Sequence, residues 1–320
     1  MRVAVIGLGV IGKVHIKVIR ETEHVLVAVC DTNKEKLSQY PETKGYTDYL
    51  QMLDETKPDI VHICTPHYLH TEMILAALKR DIHTLCEKPI CINEEDIPLI
   101  LEAEKRSKAQ LGVCFQNRYN QSTLFVQEYL NGKKLLSAHG ELKWCRDENY
   151  YAQDEWRGKK ETEGGGVLIN QALHTIDLLQ HFCGFPNVVS AVCKNRSLQG
   201  VIDVEDTATL TLCGENSATM YATNSADKDY PVTITIRTED EEVCVSSDCV
   251  YVNGEYKSCK TDVGYYGKKI YGIGHRALIY DFYDCIQSGC KFAIDGKEAV
   301  KAVKIVLAAY ASKGEKIELC

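Results

Sequence analysis

Short apolar runs alternate with amphipathic stretches through residues 1–115. Runs of β-branched and other apolar residues predict buried strands, and apolar residues spaced three and four apart predict helices. The predicted strands are 2–6, 25–30, 59–64, 82–86 and 111–115, and the predicted helices begin within 7–12 and then cover about 33–40, 46–55, 70–80 and 93–107. Regular alternation of strand and helix predicts a parallel, doubly wound sheet of the α/β class.

The pattern changes after Asn117 and Arg118. Long stretches without helical spacing follow, and three glycines at 164–166 predict a helix start. The predicted strands are 135–146, 188–194, 206–213, 217–223, 231–237, 242–246 and 249–252, with helices at 122–130, from 164–166 onward, and twice at the end of the chain. Consecutive strands without helices between them predict a large, mostly antiparallel, open-faced sheet in an α+β domain.

Length and composition agree with two domains. A chain of 320 residues exceeds what one hydrophobic core usually serves. We predict a cofactor domain over 1–118 and an α+β domain for substrate binding and oligomerisation over 119–320, with the last helix, 296–313, as a candidate to pack back on the first domain.

Charge and cysteine content exclude several classes of function. A net charge of −8 disfavours nucleic-acid partners and anionic membranes. The apolar run at the N-terminus is broken by glycines and charged residues and no segment has the length of a membrane span, so we expect no signal peptide and a cytoplasmic protein. The 15 cysteines show neither Cys-x-x-Cys nor zinc-ligand spacing, which predicts buried small hydrophobes and no metal site.

The first chemistry-bearing motif is a glycine-rich turn between a strand and a helix. In Gly-x-Gly-x-x-Gly the glycines allow the tight turn, the approach of a pyrophosphate and close helix–strand packing. Nineteen positions after the last glycine, Asp31 ends the second strand, where a carboxylate accepts hydrogen bonds from an adenosine ribose. The predicted dinucleotide contacts in this region are Gly7, Leu8, Gly9, Val10, Ile11, Gly12, Asp31 and Thr32. The alternative is a βαβ unit whose glycines serve packing only.

Two further motifs stand where predicted strands end, at the edge where such sheets bind ligands. Lys88 follows a buried strand in Glu87-Lys88-Pro89, and this placement predicts a charged group in the cofactor crevice. A surface lysine in a loop is the equally weighted alternative. In the second domain, helical spacing would place Asn170, His174 and Asp177 on one face, with a solvated face or a core histidine as the alternative.

Several of these motifs together resemble the glucose-fructose oxidoreductase / inositol dehydrogenase / MocA family over nearly the whole chain. The carriers are Gly7 to Gly12, Cys64-Thr65-Pro66 with His70, Glu87-Lys88-Pro89, Asn117-Arg118, Trp156-Arg157-Gly158, and Gly164-Gly165-Gly166 through His174 and Asp177. The resemblance implies a Rossmann domain, an open-faced sheet that packs on a partner's sheet in a homodimer or homotetramer, and a cis bond before Pro89. It also implies NAD or NADP and reversible oxidation of a secondary alcohol of a sugar, sugar derivative or cyclitol.

The resemblance also implies residue roles. Lys88 and His174 would be catalytic and would handle the hydroxyl and its proton. Further cofactor contacts would be Cys64, Thr65, Pro66, His67, His70, Glu87, Lys88 and Asn117. The candidate substrate contacts are Arg118, Tyr151, Trp156, Arg157, Asn170, His174 and His275, of which the aromatic residues have interface packing as their alternative. The inositol branch carries an aspartate at the position of Asn170, so the amide here argues against an inositol substrate.

Two other functions share these residues. One is a glycosidase that uses tightly held NAD through a transient keto-sugar, and the other is a cofactor-sensing regulator without turnover. The regulator would be expected to lack Lys88 or His174, and both are present. Because Asp31 would repel a 2′-phosphate, the sequence favours NAD, with NADP as the alternative. The sugar and the oxidised carbon are not specified by the sequence.

Overall fold

A computed structural model describes residues 1–257 and 273–319. It divides into two compact units. The first unit comprises residues 1–115 and 275–300, and the second comprises 116–274 and 301–320. None of the helices in the described part of the chain combines the length and the apolar composition that a bilayer crossing requires.

Helices and strands are numbered in chain order. The helices are α1 Val10–Arg20, α2 Lys34–Leu37, α3 Tyr49–Thr56, α4 His70–Leu78, α5 Asp96–Arg106, α6 Gln121–Tyr129, α7 Glu148–Ala152, α8 Lys160–Glu163, α9 Leu173–Cys183, α10 Gly274–Ser288 and α11 Gly296–Ser312. The strands are β1 Arg2–Ile6, β2 Val25–Cys30, β3 Lys44–Tyr46, β4 Ile60–Ile63, β5 His83–Cys86, β6 Leu111–Val113, β7 Leu135–Lys143, β8 Val188–Lys194, β9 Thr207–Cys213, β10 Ser217–Thr223, β11 Thr233–Thr238, β12 Glu242–Val245, β13 Val250–Val252, β14 Glu255–Lys257 and β15 Ile317–Glu318.

The first unit is built on a six-stranded sheet in the order β3-β2-β1-β4-β5-β6. Every neighbouring pair is parallel. All four residues of β4 are buried, as expected for a strand covered on both faces. The predicted parallel doubly wound sheet is therefore confirmed, and the carboxyl ends of β1, β2, β4 and β5 lie along one edge.

Helix α10 completes the core of the first unit beside β6. A side chain on Gly112 would come within 2.8 Å of Phe282 and 3.0 Å of Phe292, so glycine leaves the space that these rings fill. The backbone N–H of Val113 donates to the carbonyl of Ile294 at 3.0 Å. The segment after residue 274 is thus an integral part of this core.

The second unit contains a nine-stranded sheet within the described residues, in the order β14-β13-β12-β11-β7-β10-β9-β8-β15. The pair β7–β10 is parallel, and the other neighbouring pairs are antiparallel. This confirms the predicted mostly antiparallel sheet. The parallel pair arises because β7 is inserted between β10 and β11 after a long connection.

The two faces of this sheet differ. Helix α9 packs on one face, where Gly140 of β7 leaves room for Thr175 and Leu179. Thr209 and Thr211 of β9 point to the other face and are exposed. Alternation along β9 thus gives one apolar face and one face of short polar side chains.

One predicted helix boundary in the first unit differs from the structure. The helix predicted from Tyr46 begins instead at Tyr49, because Lys44–Tyr46 adds to the sheet edge as β3. Asp48 then caps α3 by accepting from the N–H groups of Leu50 and Gln51.

Candidate functional site

The glycine-rich turn joins β1 to α1 as predicted. Gly7 has φ of 90°, and a side chain there would collide with the backbone of Cys64. A side chain on Gly12 would collide with the carbonyl of Gly7, so helix and strand approach closely. A Cβ on Gly9, by contrast, would meet no described atom within 4 Å. The open side of this turn therefore lies at Gly9.

The N-terminus of α1 adjoins this open side. Gly9 is the N-cap residue and offers no side chain, and the first turn of α1 carries no acidic residue. Val10 is 68% exposed, whereas Leu8 is buried. Free N–H groups and the positive end of the helix dipole attract a phosphate at such a place.

Asp31 stands at the carboxyl end of β2, beside the glycine-rich turn. Its carboxylate accepts hydrogen bonds from the backbone N–H groups of Leu8 at 2.8 Å and Asn33 at 2.9 Å. Lys36 lies 3.5 Å from the same carboxylate, while Thr32 is exposed. These backbone donors fix the position of Asp31 relative to the turn.

The loops after β4 and β5 are tied together by His70. Its Nδ1 lies 2.7 Å from the carbonyl oxygen of Pro89, and its Nε2 lies 2.9 Å from that of Thr65. His67 is buried in a short 3-10 turn between them. The Lys88–Pro89 peptide bond is cis, in agreement with the family resemblance. Lys88 itself is half-buried.

Glu87 anchors this segment through a buried hydrogen-bond chain. His15 Nε2 lies 3.0 Å from the Glu87 carboxylate, His15 Nδ1 lies 2.8 Å from His62 Nδ1, and Tyr283 Oη lies 2.8 Å from His62 Nε2. Burial opposes ionisation of Glu87, but the hydrogen bond from His15 and the proximity of His275 outweigh it and hold the pKa of the carboxyl well below its usual range. Burial also lowers the pKa of His15 and of His62.

These protonation states fix which group donates and which accepts in each hydrogen bond of this series. An ionised Glu87 requires a proton on His15 Nε2, so the neutral His15 ring accepts at Nδ1 from His62. His62 then accepts from the Tyr283 hydroxyl. The network links α1, β4 and α10 to Glu87, which follows β5 and directly precedes Lys88.

His275 lies in the first unit beside this network. It is 2% exposed, and its Nε2 lies 3.6 Å from Glu87, too far for a hydrogen bond. Donor atoms of His15, Glu87 and His275 lie within 4.8 Å of one another, a spacing that would admit a metal ion. His15 and Glu87 are, however, already hydrogen-bonded to each other, so these three residues form a polar cluster.

In the second unit, the predicted helix start at the three glycines is wrong. The helix α9 begins at Leu173, and residues 164–172 form turns around the side chain of Glu205. That carboxyl accepts from the N–H groups of Gly166 at 2.9 Å and Leu168 at 3.0 Å, as well as from the Tyr310 hydroxyl. Because α9 begins only at Leu173, Asn170 lies in the preceding turns and not one helical turn before His174.

His174 occupies the first turn of α9 and is half-buried. The Gln116 side-chain amide nitrogen lies 3.2 Å from its Nε2. Gln116 and Asn117 belong to a 3-10 turn, and their side-chain oxygens are buried without a hydrogen-bond partner among the described residues. Buried unsatisfied acceptors beside a half-buried histidine are suited to bind hydroxyl or amide donors of a ligand.

Arg118 and Asp177 form a buried ion pair with two hydrogen bonds. Arg118 Nε and an Nη donate to the two carboxylate oxygens at 2.7 and 2.5 Å. The pair joins the 3-10 turn at 116–119 to α9, the helix that carries His174. Arg118, expected to contact substrate, is therefore placed where it braces that helix.

The aromatic substrate candidates belong to one hydrogen-bonded group. The Arg157 guanidinium donates to the Tyr150 hydroxyl at 2.5 Å, and Gln171 donates to that hydroxyl at 3.2 Å. Tyr151 is buried against Leu198, Ile202 and Val204, and its hydroxyl accepts from Asn224. Arg157 also lies over the ring of Trp156, 4.8 Å from its centroid. The structure brings these residues together but buries Tyr151.

Sequence reasoning missed the buried carboxylates Glu163 and Glu205. Glu163 accepts hydrogen bonds from Gly158 N–H and from the Asn170 side-chain amide. Burial raises the pKa of both carboxyls, that of Glu163 to about 7. The one local signal was the position of Glu163 directly before three glycines. Glu205 carries no such signal, because its partners are far away in the sequence.

The first unit fits a dinucleotide. The open side at Gly9, the uncapped N-terminus of α1 and the fixed carboxylate of Asp31 supply a phosphate cradle and a ribose acceptor in the required order. The residues that would hold the nucleotide are thus present and positioned within one unit.

Two family models match the chain. Residues 1–115 match the oxidoreductase family model with an NAD-binding Rossmann fold, and residues 134–243 match the GFO/IDH/MocA C-terminal domain. The two models belong to the same family and cover one region in each unit.

Curated relatives and solved structures agree with these models. The chain is 25% identical over 189 residues to myo-inositol 2-dehydrogenase of Thermotoga maritima, covering 58% of this chain and 55% of the relative. It is 30% identical over 200 residues to D-glucoside 3-dehydrogenase of Escherichia coli, covering 59% and 56%. The chain thus matches little more than half the length of these relatives.

One solved structure is similar over the full length. The WlbA dehydrogenase from Bordetella pertussis, crystallised with NADH and UDP-GlcNAcA, superimposes with a TM-score of 0.90 at 26% identity. The comparison covers 100% of this chain and 98% of that one.

Proposed function

Because this chain belongs to the Gfo/Idh/MocA family of oxidoreductases, we propose that it transfers a hydride between NAD and a secondary alcohol of a sugar, sugar derivative or cyclitol. The observation that carries the proposal is the glycine-rich turn whose open side at Gly9 adjoins the N-terminus of α1. The named activities of the relatives and the bound ligands of the WlbA dehydrogenase support the substrate class.

Two residues are proposed to act on the reacting hydroxyl. In the oxidation direction His174 takes the proton as general base, and Lys88 donates a hydrogen bond to the same oxygen. Gln116 orients the His174 ring through its contact with Nε2, and the Glu87 network holds the backbone that carries Lys88. The nicotinamide ring, when bound, supplies the hydride acceptor.

A panel of three compounds tests this proposal: myo-inositol, methyl β-D-glucoside and UDP-GlcNAcA. Each is mixed with the protein and NAD, and NADH absorbance is followed. Sustained NADH formation with at least one compound supports a dehydrogenase. Release of methanol from the glucoside without net NADH would instead indicate the glycosidase. Absence of both reactions, and of any thermal stabilisation by NADH, would contradict the proposal.

The protein is expected to bind NAD more tightly than NADP. Asp31 is held by the N–H groups of Leu8 and Asn33 near the place of the ribose. Repulsion between its charge and a 2′-phosphate at about 4 Å is worth roughly 1–4 kcal/mol, or about five- to several-hundred-fold in affinity. Titration with NADH and with NADPH, followed by fluorescence, measures the two affinities. Asp31→Asn should reduce the difference between them. Tighter binding of NADPH by the unaltered protein would overturn this assignment.

The protein is also expected to form a dimer or tetramer through the second unit. The β9 face with Thr209 and Thr211 is exposed in the single chain, and the family resemblance implies that the open face of this sheet packs on the sheet of a second copy. Light scattering at micromolar concentration should give a multiple of 35.9 kDa. Thr211→Arg, which places a charge on that face, should shift the mass toward one chain, whereas a monomeric unaltered protein would refute the prediction.

A further inference from the structure

Four metal-ligating side chains meet in the core of the first unit, and none of them acts on the reacting hydroxyl in the proposed function. His15 belongs to α1 and His275 to α10, while Glu87 directly follows β5 and Cys114 directly follows β6. All four residues are between 0% and 6% exposed. Because they are far apart in the sequence, they show none of the local spacing on which the expectation of no metal site was based.

His275 is the member of this group whose surroundings point to a ligand. Both of its ring nitrogens are buried, and neither has a hydrogen-bond partner among the described residues. A neutral imidazole carries one N–H donor and one acceptor nitrogen, so leaving both unpaired in a protein core is costly. Its Nε2 lies 3.6 Å from the Glu87 carboxylate, which suits two atoms that bind the same metal ion.

The spacing of the donor atoms agrees with tetrahedral coordination of zinc. Bonds of about 2.1 Å from zinc to nitrogen or oxygen, and of about 2.3 Å to sulfur, put neighbouring ligand atoms roughly 3.4–3.6 Å apart. His15 Nε2 lies 3.0 Å from the Glu87 carboxylate and 3.9 Å from Cys114 Sγ. The Cys114 thiol also interacts with the Glu87 carboxyl. The donor atoms of His15, Glu87 and His275 are no more than 4.8 Å apart, so small side-chain rotations complete the set.

Charge and ligand type favour zinc over other ions. The Glu87 carboxylate supplies one negative charge, and a coordinating thiol, which loses its proton, supplies the second. These two charges offset the charge of Zn²⁺, so the buried site carries no net charge. Imidazole and thiolate ligands suit zinc, whereas calcium and magnesium prefer sites built from oxygen ligands.

We propose that the first unit binds a structural zinc ion in a closed four-ligand site, formed by His15, Glu87, Cys114 and His275. The site goes beyond the proposed function, because it neither holds the dinucleotide nor acts on the alcohol. Four protein ligands leave no coordination position for a substrate, which is typical of a structural site. The ion ties α10 to α1 and to the ends of β5 and β6.

The hydrogen bond between His15 and Glu87 belongs to the metal-free state. Zinc takes the lone pair of His15 Nε2, so the proton of this ring moves to Nδ1. His15 Nδ1 then donates to His62 Nδ1, and His62 Nε2 donates to the Tyr283 hydroxyl. Each ring keeps one proton, and the thiol releases its proton to solvent. A metal-bound histidine usually donates its other N–H in this way, and His62 lies 2.8 Å away to accept it.

Metal analysis of the untagged, full-length protein tests the site. Protein from cells grown with added zinc should contain one zinc ion per chain by mass spectrometry of the elements, after dialysis against metal-free buffer. Cys114→Ala and His275→Ala should each lose most of this zinc. Cys183→Ala, which changes a buried cysteine of the second unit, is the matched control and should keep it. Absence of zinc from the folded, unaltered protein would overturn the proposal, as would full zinc content in both cluster variants.

Cobalt substitution identifies the ligands of the unaltered protein by absorption spectroscopy. Protein produced with Co²⁺ in place of zinc should show the strong visible bands of a tetrahedral cobalt complex and a thiolate-to-cobalt charge-transfer band in the near ultraviolet. The charge-transfer band should disappear in Cys114→Ser and persist in Cys183→Ser. A weak octahedral spectrum, or a charge-transfer band that survives in Cys114→Ser, would refute the four-ligand site. Neither experiment needs NAD or turnover, so both decide the zinc site independently of the proposed function.

Discussion

His174→Ala is expected to lower kcat about 10²–10⁴-fold while leaving NADH affinity intact. A general base contributes typically that much, and His174 belongs to the second unit, whereas the glycine-rich turn that is proposed to bind the cofactor belongs to the first. Lys88→Ala should lower kcat by a similar factor. The double variant should lose less than the product of the two factors if, as proposed, both side chains act on one proton.

Steady-state NADH formation with a compound that the unaltered protein oxidises measures these losses. The control for His174→Ala is His181→Ala, which removes another histidine from the same helix. The control for Lys88→Ala is Lys105→Ala, which removes a lysine from the exposed side of α5. Near-normal kcat in His174→Ala would remove this residue from catalysis. Loss of NADH binding in the same variant would point to a folding defect instead.

Asp177→Asn should reduce the free energy of unfolding by about 3–5 kcal/mol. Removing one partner of a buried ion pair takes the main compensation from the other charge, and Arg118 is buried with two hydrogen bonds to Asp177. Chemical denaturation followed by circular dichroism measures the loss. Because the pair braces the turn at 116–119 against α9, kcat should also fall through displacement of His174.

The double variant Arg118→Met/Asp177→Leu is the control for this second prediction. It removes both charges and keeps side chains of similar size, so most of the lost stability should return. If Arg118 contacts substrate directly, the double variant should still show a raised KM although its free energy of unfolding has recovered. A loss below about 1 kcal/mol in Asp177→Asn would show that the pair contributes little.

Much of the fold was predictable because its signals are local. The apolar runs of β1, β2 and β4 and the glycine spacing between β1 and α1 each lie within a short window. The cap of α11 is equally local, because Asp295 accepts from the N–H of Glu298, three residues on, at 2.8 Å. The strand β3, with three residues of which two are exposed, carries no apolar pattern of its own and forms by pairing with β2.

The candidate site was less predictable because its positioning contacts are long-range. Glycines and helical spacing favoured a helix from 166, but residues 164–172 form turns, and Glu205, which binds the N–H groups of Gly166 and Leu168, has no local pattern that connects it to them. Likewise, the pairing of Glu87 with His15 and its proximity to His275 depend on the assembled sheet and α10. Which residues are chemically suited to a role can be predicted from sequence, but their partners follow from tertiary structure.

The placement of residues 275–300 in the first unit has a consequence for biosynthesis. A ribosome delivers the glycine-rich turn and all six strands of that sheet early, but the rings of Phe282 and Phe292 that fill the space beside Gly112 emerge only after most of the second unit. During that interval the late partners of β6, which are Phe282, Phe292 and the carbonyl of Ile294, and the hydroxyl partner of His62 are all missing. The nascent first unit is therefore expected to remain incompletely folded, and a candidate for chaperones, until residues 275–300 have left the exit tunnel.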